Sequence, residues 1–206
     1  MTDSALLART SGSTAVAPTS SRPDCTLNGY AALKSLLTVF LGQLGLADML
    51  DHGVPILRIP YRDESGTQVA VRLRTALEKS PGRDDRFRSE AGSKPLLYGL
   101  WLLRPEASVV IVEGESDCHT LWHHGINAVG LPGAGMWSER RDAHHFANFE
   151  KIYAVIEPDQ GGDAMLRCIG KSSLRDRAQL VRLDGFKDPS GTWPTQSSSC
   201  RDGMQL

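Results

Sequence analysis

The segment from Val109 to Asp117 decides the fold, and its residues in order are Val-Val-Ile-Val-Glu-Gly-Glu-Ser-Asp. A short apolar run that stops at a carboxylate and a glycine is typical of a parallel strand that is buried on both faces and ends at one edge of a sheet. The segment therefore predicts a strand that delivers Glu113 to this edge, a sharp turn at Gly114 and then a helix. Asp117 falls in the first turn of that helix, where it is either a favourable helix-start acid or part of a site.

A second segment, residues 152–162, repeats the pattern with Ile-Tyr-Ala-Val-Ile-Glu-Pro-Asp-Gln-Gly-Gly. The intervening proline favours an extended backbone at Glu157. Residues two apart in an extended segment point the same way, so Glu157 and Asp159 can present two carboxylates in one direction. Gly161 and Gly162 then permit a close approach into the amino end of a helix, which favours anions.

From residue 106 to residue 190 strand patterns and helix patterns alternate, which predicts an α/β fold with a Rossmann-like parallel sheet flanked by helices on both faces. The expected strands are 109–112, 127–130, 152–156 and 179–183, and the expected helices are 116–124, 138–148 and 163–169. Because the carboxyl ends of parallel strands share one edge, the two acidic segments are expected to meet there.

Residues 25–105 predict a smaller α+β subdomain. An apolar stripe at helical spacing covers much of 25–52, with Thr26 or Asn28 as its cap and Gly45 as its end. Two strand patterns, at 54–61 and 68–77, enclose a turn and predict a hairpin. A polar loop is expected over 78–94 and a short apolar helix over 96–103. The Ser- and Thr-rich residues 1–24 and the aperiodic residues 191–206 are expected to be disordered tails.

Composition limits the function classes. The 206 residues are 40% hydrophobic with a net charge of −1, which argues against a protein that binds nucleic acid by charge alone. Four scattered cysteines form no CxxC pair, so neither a zinc ribbon nor a disulfide framework is indicated and a reducing, cytoplasmic location is expected. No apolar stretch is long enough for a membrane span, and no signal peptide pattern is present at the start.

The charge is unevenly distributed. Residues 54–104 hold ten Lys or Arg and six Asp or Glu, whereas residues 105–190 hold nine and thirteen. Within the basic portion, Arg72 and Arg74 lie two apart on one strand face, which indicates either a solvated face or a phosphate-facing pair. The paired histidines of the chain, His119 with His123 and His144 with His145, lack a zinc-protease arrangement and are expected at the surface.

The converging carboxylates predict a metal site. Like charges at one sheet edge repel each other, and without a cation some of them would take up protons. A divalent cation removes this conflict, and a set of oxygen ligands suits Mg²⁺ or Mn²⁺ better than zinc.

These motifs resemble the toprim domain, which is shared by topoisomerases, bacterial-type primases and some nucleases. Glu113-Gly114 with Asp117 is similar to the Glu-Gly motif of that family. Glu157-Pro158-Asp159 is similar to its Asp-x-Asp motif, with Glu in place of the leading Asp, and Lys187-Asp188-Pro189 resembles a late Asp-Pro motif of primases. The likeness covers about 106–190, and the upstream hairpin with the segment from Lys94 to Gly99 resembles the basic subdomain of primase-like proteins from phages, plasmids and other mobile elements.

The resemblance implies roles for the residues. Glu113 and Asp159 would be catalytic, with Glu113 as general acid/base or metal ligand, and Mg²⁺ or Mn²⁺ would be held by Glu113, Glu157, Asp159 and Asp188. Supporting positions would be Asp117, Gly114, Gly161 and Gly162. The basic hairpin and following loop would contact the template through Arg72, Arg74, Arg86, Arg88 and Lys94.

The implied function is metal-dependent nucleotidyl transfer that makes RNA primers on single-stranded DNA from nucleoside triphosphates during replication. A toprim nuclease that uses the same acids is an alternative, and so is a non-catalytic module that binds nucleic acid or a replication partner. Primases of this type usually carry zinc-binding and helicase modules, so a helicase or zinc-binding module acting in trans is a candidate partner. No membrane partner is expected.

Overall fold

The computed structural model describes residues 24–82, 85–90, 92–93, 96–133 and 135–192. The tails expected over 1–24 and 191–206 fall almost wholly outside these residues, as does Lys94. Within the described part of the chain, every helix is too short or too polar to cross a lipid bilayer.

The amino-terminal part forms an antiparallel sheet in the order β1-β2-β3-β4. Its strands are β1 (Ala47–Asp51), β2 (Val54–Arg62), β3 (Gln68–Arg74) and β4 (Phe87–Ser89). The expected hairpin is β2 and β3, which pair from Leu57 opposite Arg74 to Arg62 opposite Gln68. The flanking strands were not expected, because β1 follows an apolar helical stripe and β4 has only three residues in a polar stretch.

The helical prediction for the first segment is only partly right. Two short helices form, α1 (Leu27–Lys34) and α2 (Thr38–Gln43), where the stripe favoured a longer one. Thr26 caps α1 as expected, because its hydroxyl accepts from the amide of Gly29. Ser35 takes a left-handed conformation (φ 53°) and ends α1, and Gly45 (φ 90°) follows α2. A polar residue that tolerates positive φ thus interrupts an otherwise continuous apolar pattern.

The carboxy-terminal part is the expected α/β unit. Its parallel sheet has the order β6-β5-β7-β8, with β5 (Ser108–Val112), β6 (Ala128–Gly130), β7 (Lys151–Val155) and β8 (Ala178–Val181). The helices are α3 (Glu115–His123), α4 (Glu139–Asp142), α5 (Gln160–Lys171) and α6 (Pro189–Thr192). Short 3₁₀ turns occupy 100–102, 143–146 and 175–177. Residues 191 and 192, expected in a tail, thus belong to α6.

Strand β5 is buried on both faces, and its alternate side chains enter two cores. Val110 and Val112 pack with α1, α2, α3 and the antiparallel sheet. Val109 and Ile111 pack on the opposite face with α5 and the 143–146 turn. Burying each of these side chains stabilises the fold by about 1.5–3 kcal/mol. One core is therefore shared between the two sheets, which fixes the antiparallel sheet beside the carboxyl ends of the parallel strands.

The prediction that His119 lies at the surface is wrong. His119 is fully buried in the shared core, and burial lowers its pKa to about 3. Its Nδ1 lies 2.9 Å from the Tyr30 hydroxyl and its Nε2 lies 2.7 Å from the Tyr98 hydroxyl. A neutral imidazole with one donor and one acceptor nitrogen satisfies both hydroxyls and links α1 to the parallel sheet.

Candidate active site

Glu113 leaves the end of β5 beside two other carboxylates. Gly114 follows it with φ 116°, a conformation that a residue with a Cβ rarely adopts, so the chain turns directly into α3. Oε1 of Glu113 is buried and has no hydrogen-bond partner among the residues that the structure describes. A buried, unpaired carboxylate oxygen is costly, which marks this atom as a position where a cation or a proton is needed.

Glu157 and Asp159 follow β7 and are joined by a lysine. Nζ of Lys187 lies 2.5 Å from Oε2 of Glu157 and 2.9 Å from Oδ2 of Asp159. The other oxygen of Asp159, Oδ1, accepts from the amides of Gly161 and Gly162 and caps α5. The Asp159 carboxylate is therefore fixed at both oxygens.

Both glycines at the start of α5 are required by close approach. A Cβ atom at Gly161 would meet Oε2 of Glu113 at 2.3 Å, and one at Gly162 would meet the carbonyl oxygen of Glu157 at 1.9 Å. Gly161 thus lets the two acidic segments pack against each other, and Gly162 lets α5 begin close to the backbone of Glu157.

Glu113, Glu157 and Asp159 form a compact group in which one oxygen from each lies within 4.8 Å of the others. Burial, together with Glu157 and Asp159, raises the pKa of Glu113 to about 7, against the opposing effect of Lys187. Burial also raises the pKa of Glu157, although Lys187 opposes this shift. For Asp159, burial is outweighed by the hydrogen bonds and charge from Lys187, so its pKa is lowered.

The residues present fit a hard divalent cation. Three carboxylates converge, and the single lysine that contacts them leaves an excess of negative charge. The unpaired Oε1 of Glu113 supplies a ligand atom with no competing hydrogen bond. Oxygen-only donors of this kind match Mg²⁺ or Mn²⁺.

Asp188 and Asp117 lie together in a neighbouring group. Asp188 caps α6 by accepting from the Ser190 hydroxyl at 2.8 Å and the Gly191 amide at 3.0 Å. Asp117 is buried and accepts from the Ser190 amide, and burial with nearby Asp188 and Glu157 raises its pKa to about 7. Lys34 of α1 donates to the Ser190 hydroxyl at 2.7 Å. Asp188 therefore stands outside the three-carboxylate group, and its role as a metal ligand stays a prediction.

The predicted template-contacting residues divide into three sets. Arg72, Arg74 and Arg86 line the same cleft as the carboxylates. Arg88 forms an ion pair with Asp51 and does not line the cleft. Lys94 is outside the described residues.

Arg72 and Arg74 share a strand face, but this face packs against the rest of the protein. Arg72 donates to Glu115 at 2.9 Å and to the carbonyl oxygen of Pro132 at 2.8 Å. Arg74 is only 2% exposed and donates to the carbonyl oxygens of Ala76 and Leu77. The interpretation as a solvated outer face is therefore wrong, and Arg74 has a clear structural role in holding the chain after β3.

The cleft between the two sheets has a volume of about 470 Å³. One wall carries the acids Glu113, Glu157 and Asp159, and the opposite wall carries basic side chains from β3 and the segment leading to β4. This basic wall consists of Arg72, Arg74, Lys79 and Arg86. A phosphate ester in the cleft would meet cations on one side and a metal-binding group on the other.

One sequence relative decides the family of this chain. Over 122 residues the chain is 30% identical to the Gene 57 protein of Mycobacterium phage D29, covering 58% of this chain and 75% of that protein. The chain belongs to the family of this phage protein. No family model matches the sequence.

Solved structures that are similar to this chain include primase catalytic cores. The primase fragment of the bacteriophage T7 primase-helicase protein matches with a TM-score of 0.64 at 20% identity, over 78% of this chain and 66% of the fragment. The RNA polymerase domain of Mycobacterium tuberculosis primase DnaG gives 0.61 at 16%, over 79% and 69%. A DnaG catalytic domain bound to single-stranded DNA gives 0.59 at 17%, over 80% and 66%. The chain thus has the toprim-like fold of primase cores and spans just under two thirds of the T7 fragment.

Three residues of this site escaped the sequence reasoning. Lys187 was noted only as part of a motif, Glu115 only as part of the first acidic segment, and Lys79 only as part of a polar loop. A lysine thirty positions from Glu157 carries no local signal of its partner. One feature of the sequence could have pointed to Glu115. A carboxylate at a buried helix start needs a cationic partner, and in the structure this partner is Arg72.

Proposed function

We propose that the chain is a Mg²⁺- or Mn²⁺-dependent, primase-like nucleotidyltransferase. It would make RNA primers on single-stranded DNA in the replication of a phage or other mobile element, in the cytoplasm. The observation that carries this proposal is that one cleft is lined both by a group of three carboxylates and by the four side chains of the basic wall.

The acidic wall supports the metal-dependent part of the proposal. Glu113, Glu157 and Asp159 would hold the cation, which when bound supplies charge to polarise a phosphate and to lower the pKa of a 3′-hydroxyl. Lys187 forms ion pairs with Glu157 and Asp159 and offsets part of their charge when no cation is bound. Gly161 keeps the backbone of this segment close to Glu113, and Gly162 lets the first turn of α5 pack against the backbone of Glu157.

The basic wall supports binding of phosphates. Arg72 is held in place by Glu115, so its position is set before any ligand arrives, which lowers the entropic cost of binding. Its guanidinium also lies 4.4 Å over the ring of Phe87, another residue of the cleft. Phosphates of a nucleoside triphosphate or of a DNA backbone are the ligands that suit such a surface.

The fold of primase cores supports the substrate class. One similar DnaG domain was solved with single-stranded DNA, and the similar T7 fragment comes from a primase-helicase protein. By this likeness the partners would be single-stranded DNA, nucleoside triphosphates and a helicase or zinc-binding module acting in trans.

A primer-synthesis assay tests the proposal. Labelled nucleoside triphosphates and a single-stranded template with Mg²⁺ or Mn²⁺ should give short RNA products. Glu113→Gln and Asp159→Asn should each lower the rate about 100-fold, because both remove charge that acts on the metal. Glu106→Gln and Asp176→Asn make the same chemical changes at exposed residues outside the cleft and should leave the rate unchanged.

Other outcomes would contradict primase activity in distinct ways. Metal-dependent cutting of DNA without added nucleotides would identify a nuclease that uses the same acids. Salt-sensitive DNA binding that survives both substitutions, without any RNA product, would identify a binding module.

A further inference from the structure

A second group of metal-ligating side chains lies outside the cleft. It consists of Glu64, His144 and His145, and one donor atom from each lies within 4.8 Å of the others. Glu64 belongs to the turn between β2 and β3, whereas the two histidines belong to the 3₁₀ turn at 143–146. None of the three lines the cleft. This group therefore joins the antiparallel sheet to the parallel-sheet unit at a separate place.

The turn that carries Glu64 is held in one conformation. Oδ1 of Asp63 accepts from the amides of Ser65 and Thr67, each at 3.0 Å, and from the Ser65 hydroxyl at 2.6 Å. The Gly66 amide closes the turn on the Asp63 carbonyl oxygen. The Glu64 carboxylate next to this turn contacts His145.

The two histidines are also held by their surroundings. Phe146, the next residue, is fully buried in the core, and Asp142, just before, is fully buried and accepts from the Ser138 amide at 2.8 Å. The rings of His144 and His145 lie side by side, with centroids 3.9 Å apart. Nδ1 of His145 lies 2.5 Å from Oε1 of Glu64, and the His145 side chain is only 7% exposed.

We propose that Glu64, His144 and His145 bind a transition-metal ion of the Zn²⁺ class. Two imidazoles and one carboxylate are a donor set that zinc prefers and that Mg²⁺ does not, and three protein ligands leave a position for water. The side chains of Glu64 and His144 are exposed, so an ion can enter from solvent. The bound ion would tie the β2–β3 turn to the parallel-sheet unit, and so help to hold the two walls of the cleft in a fixed relation.

Metal titration of the full chain, without a histidine tag and after treatment with EDTA, tests this site. Zn²⁺ alone should bind in one equivalent at this group and raise Tm by about 5 °C or more at a hundredfold excess over Kd. Co²⁺ should bind in the same place and show the visible absorption of a nitrogen-ligated ion. His144→Ala, His145→Ala and Glu64→Ala should each weaken this binding at least about tenfold.

Two control variants test whether the bound equivalent of Zn²⁺ lies at Glu64, His144 and His145. His52→Asn changes a histidine whose side chain is 94% exposed, and it should keep the Zn²⁺ equivalent. Glu113→Gln changes the acidic wall of the cleft and should keep it too. An equivalent lost only in Glu113→Gln would place zinc in the cleft and overturn the proposal. No Zn²⁺ binding, or binding unchanged in all three alanine variants, would mean that Glu64 and His145 form an ion pair only.

Discussion

Gly162 lies so close to Glu157 that a Cβ atom there would meet the Glu157 carbonyl oxygen at 1.9 Å. Gly162→Ala must therefore displace the segment that carries Glu157 and Asp159. We expect it to destabilise the protein by about 1–3 kcal/mol and to weaken Mg²⁺ binding at least tenfold. Denaturant unfolding and calorimetric titration would measure the two effects.

Gly170 provides the matched control, because it lies in the same helix with no atom within 4 Å of its would-be Cβ. Gly170→Ala should leave Mg²⁺ binding unchanged and stabilise the protein by about 0.5–1 kcal/mol. Equal effects of the two alanines on Mg²⁺ binding would show that helix stability, and not the approach to Glu157, controls the site.

Lys187 competes with the metal for the charge of Glu157 and Asp159. Lys187→Met removes this competing cation while keeping most of the apolar length of the side chain. We expect Mg²⁺ to bind several-fold more tightly to the variant, and Tm in EDTA to fall because three carboxylates then repel each other. Calorimetric titration and thermal unfolding with and without Mg²⁺ would check both results.

Lys151→Met, at an exposed strand start, should change neither Mg²⁺ binding nor Tm. Weaker Mg²⁺ binding in Lys187→Met would mean that the lysine mainly holds the acids in place.

Arg72 neutralises Glu115, which is only 3% exposed. Arg72→Met should lower the free energy of unfolding by about 2–4 kcal/mol, because it leaves a buried carboxylate with Tyr61 as its remaining side-chain partner. Arg58 on the neighbouring strand β2 provides the control, because it donates to the exposed side chain of Gln68. Arg58→Met should lower the free energy of unfolding by less than about 1 kcal/mol. The double variant Arg72→Met, Glu115→Leu should recover part of the loss in urea unfolding. A double variant that loses the sum of both single effects would contradict this pairing.

The sequence predicted the parallel sheet well because its strands are buried on both faces. Continuous apolar runs such as Val109–Val112 follow directly from that burial, and an abrupt stop at carboxylates locates the strand end. The same reasoning placed Glu113 and Asp159 at one edge, where the structure also has them together. Strand β4 escaped prediction, because its three residues lie in a polar stretch and carry too few positions to show a period.

Partners distant in sequence could not be predicted from local patterns. Lys187 and Glu157 are thirty positions apart, and Arg72 and Glu115 are forty-three apart, so only the folded chain shows that each pair meets. Asp188 shows the reverse limit. A motif likeness assigned it to the metal; local patterns did not show that its Oδ1 accepts the hydrogen bonds that cap α6, and its role as a metal ligand stays a prediction.

His119 should make stability depend on pH through its buried imidazole. Its folded pKa of about 3 lies below its unfolded value of about 6.5, so the unfolded chain binds a proton more readily. Above pH 6.5 the imidazole is neutral in both states and does not lower the free energy of unfolding. As the pH falls toward 3, the free energy of unfolding decreases by up to about 1.4 kcal/mol per pH unit, because the unfolded chain takes up a proton at this residue.

Comparison of variants isolates this effect, because the raised pKa values of Glu113 and Asp117 act in the opposite sense over the same range. His119→Asn should lose the part of the acid dependence that the imidazole contributes, so that its stability relative to the wild type rises as the pH falls from 6.5 to 5. His52→Asn, at an exposed histidine, should follow the wild type. Urea unfolding at several pH values measures the difference. A constant difference between His119→Asn and the wild type would mean that the imidazole has the same pKa in the folded and the unfolded protein, and would contradict this prediction.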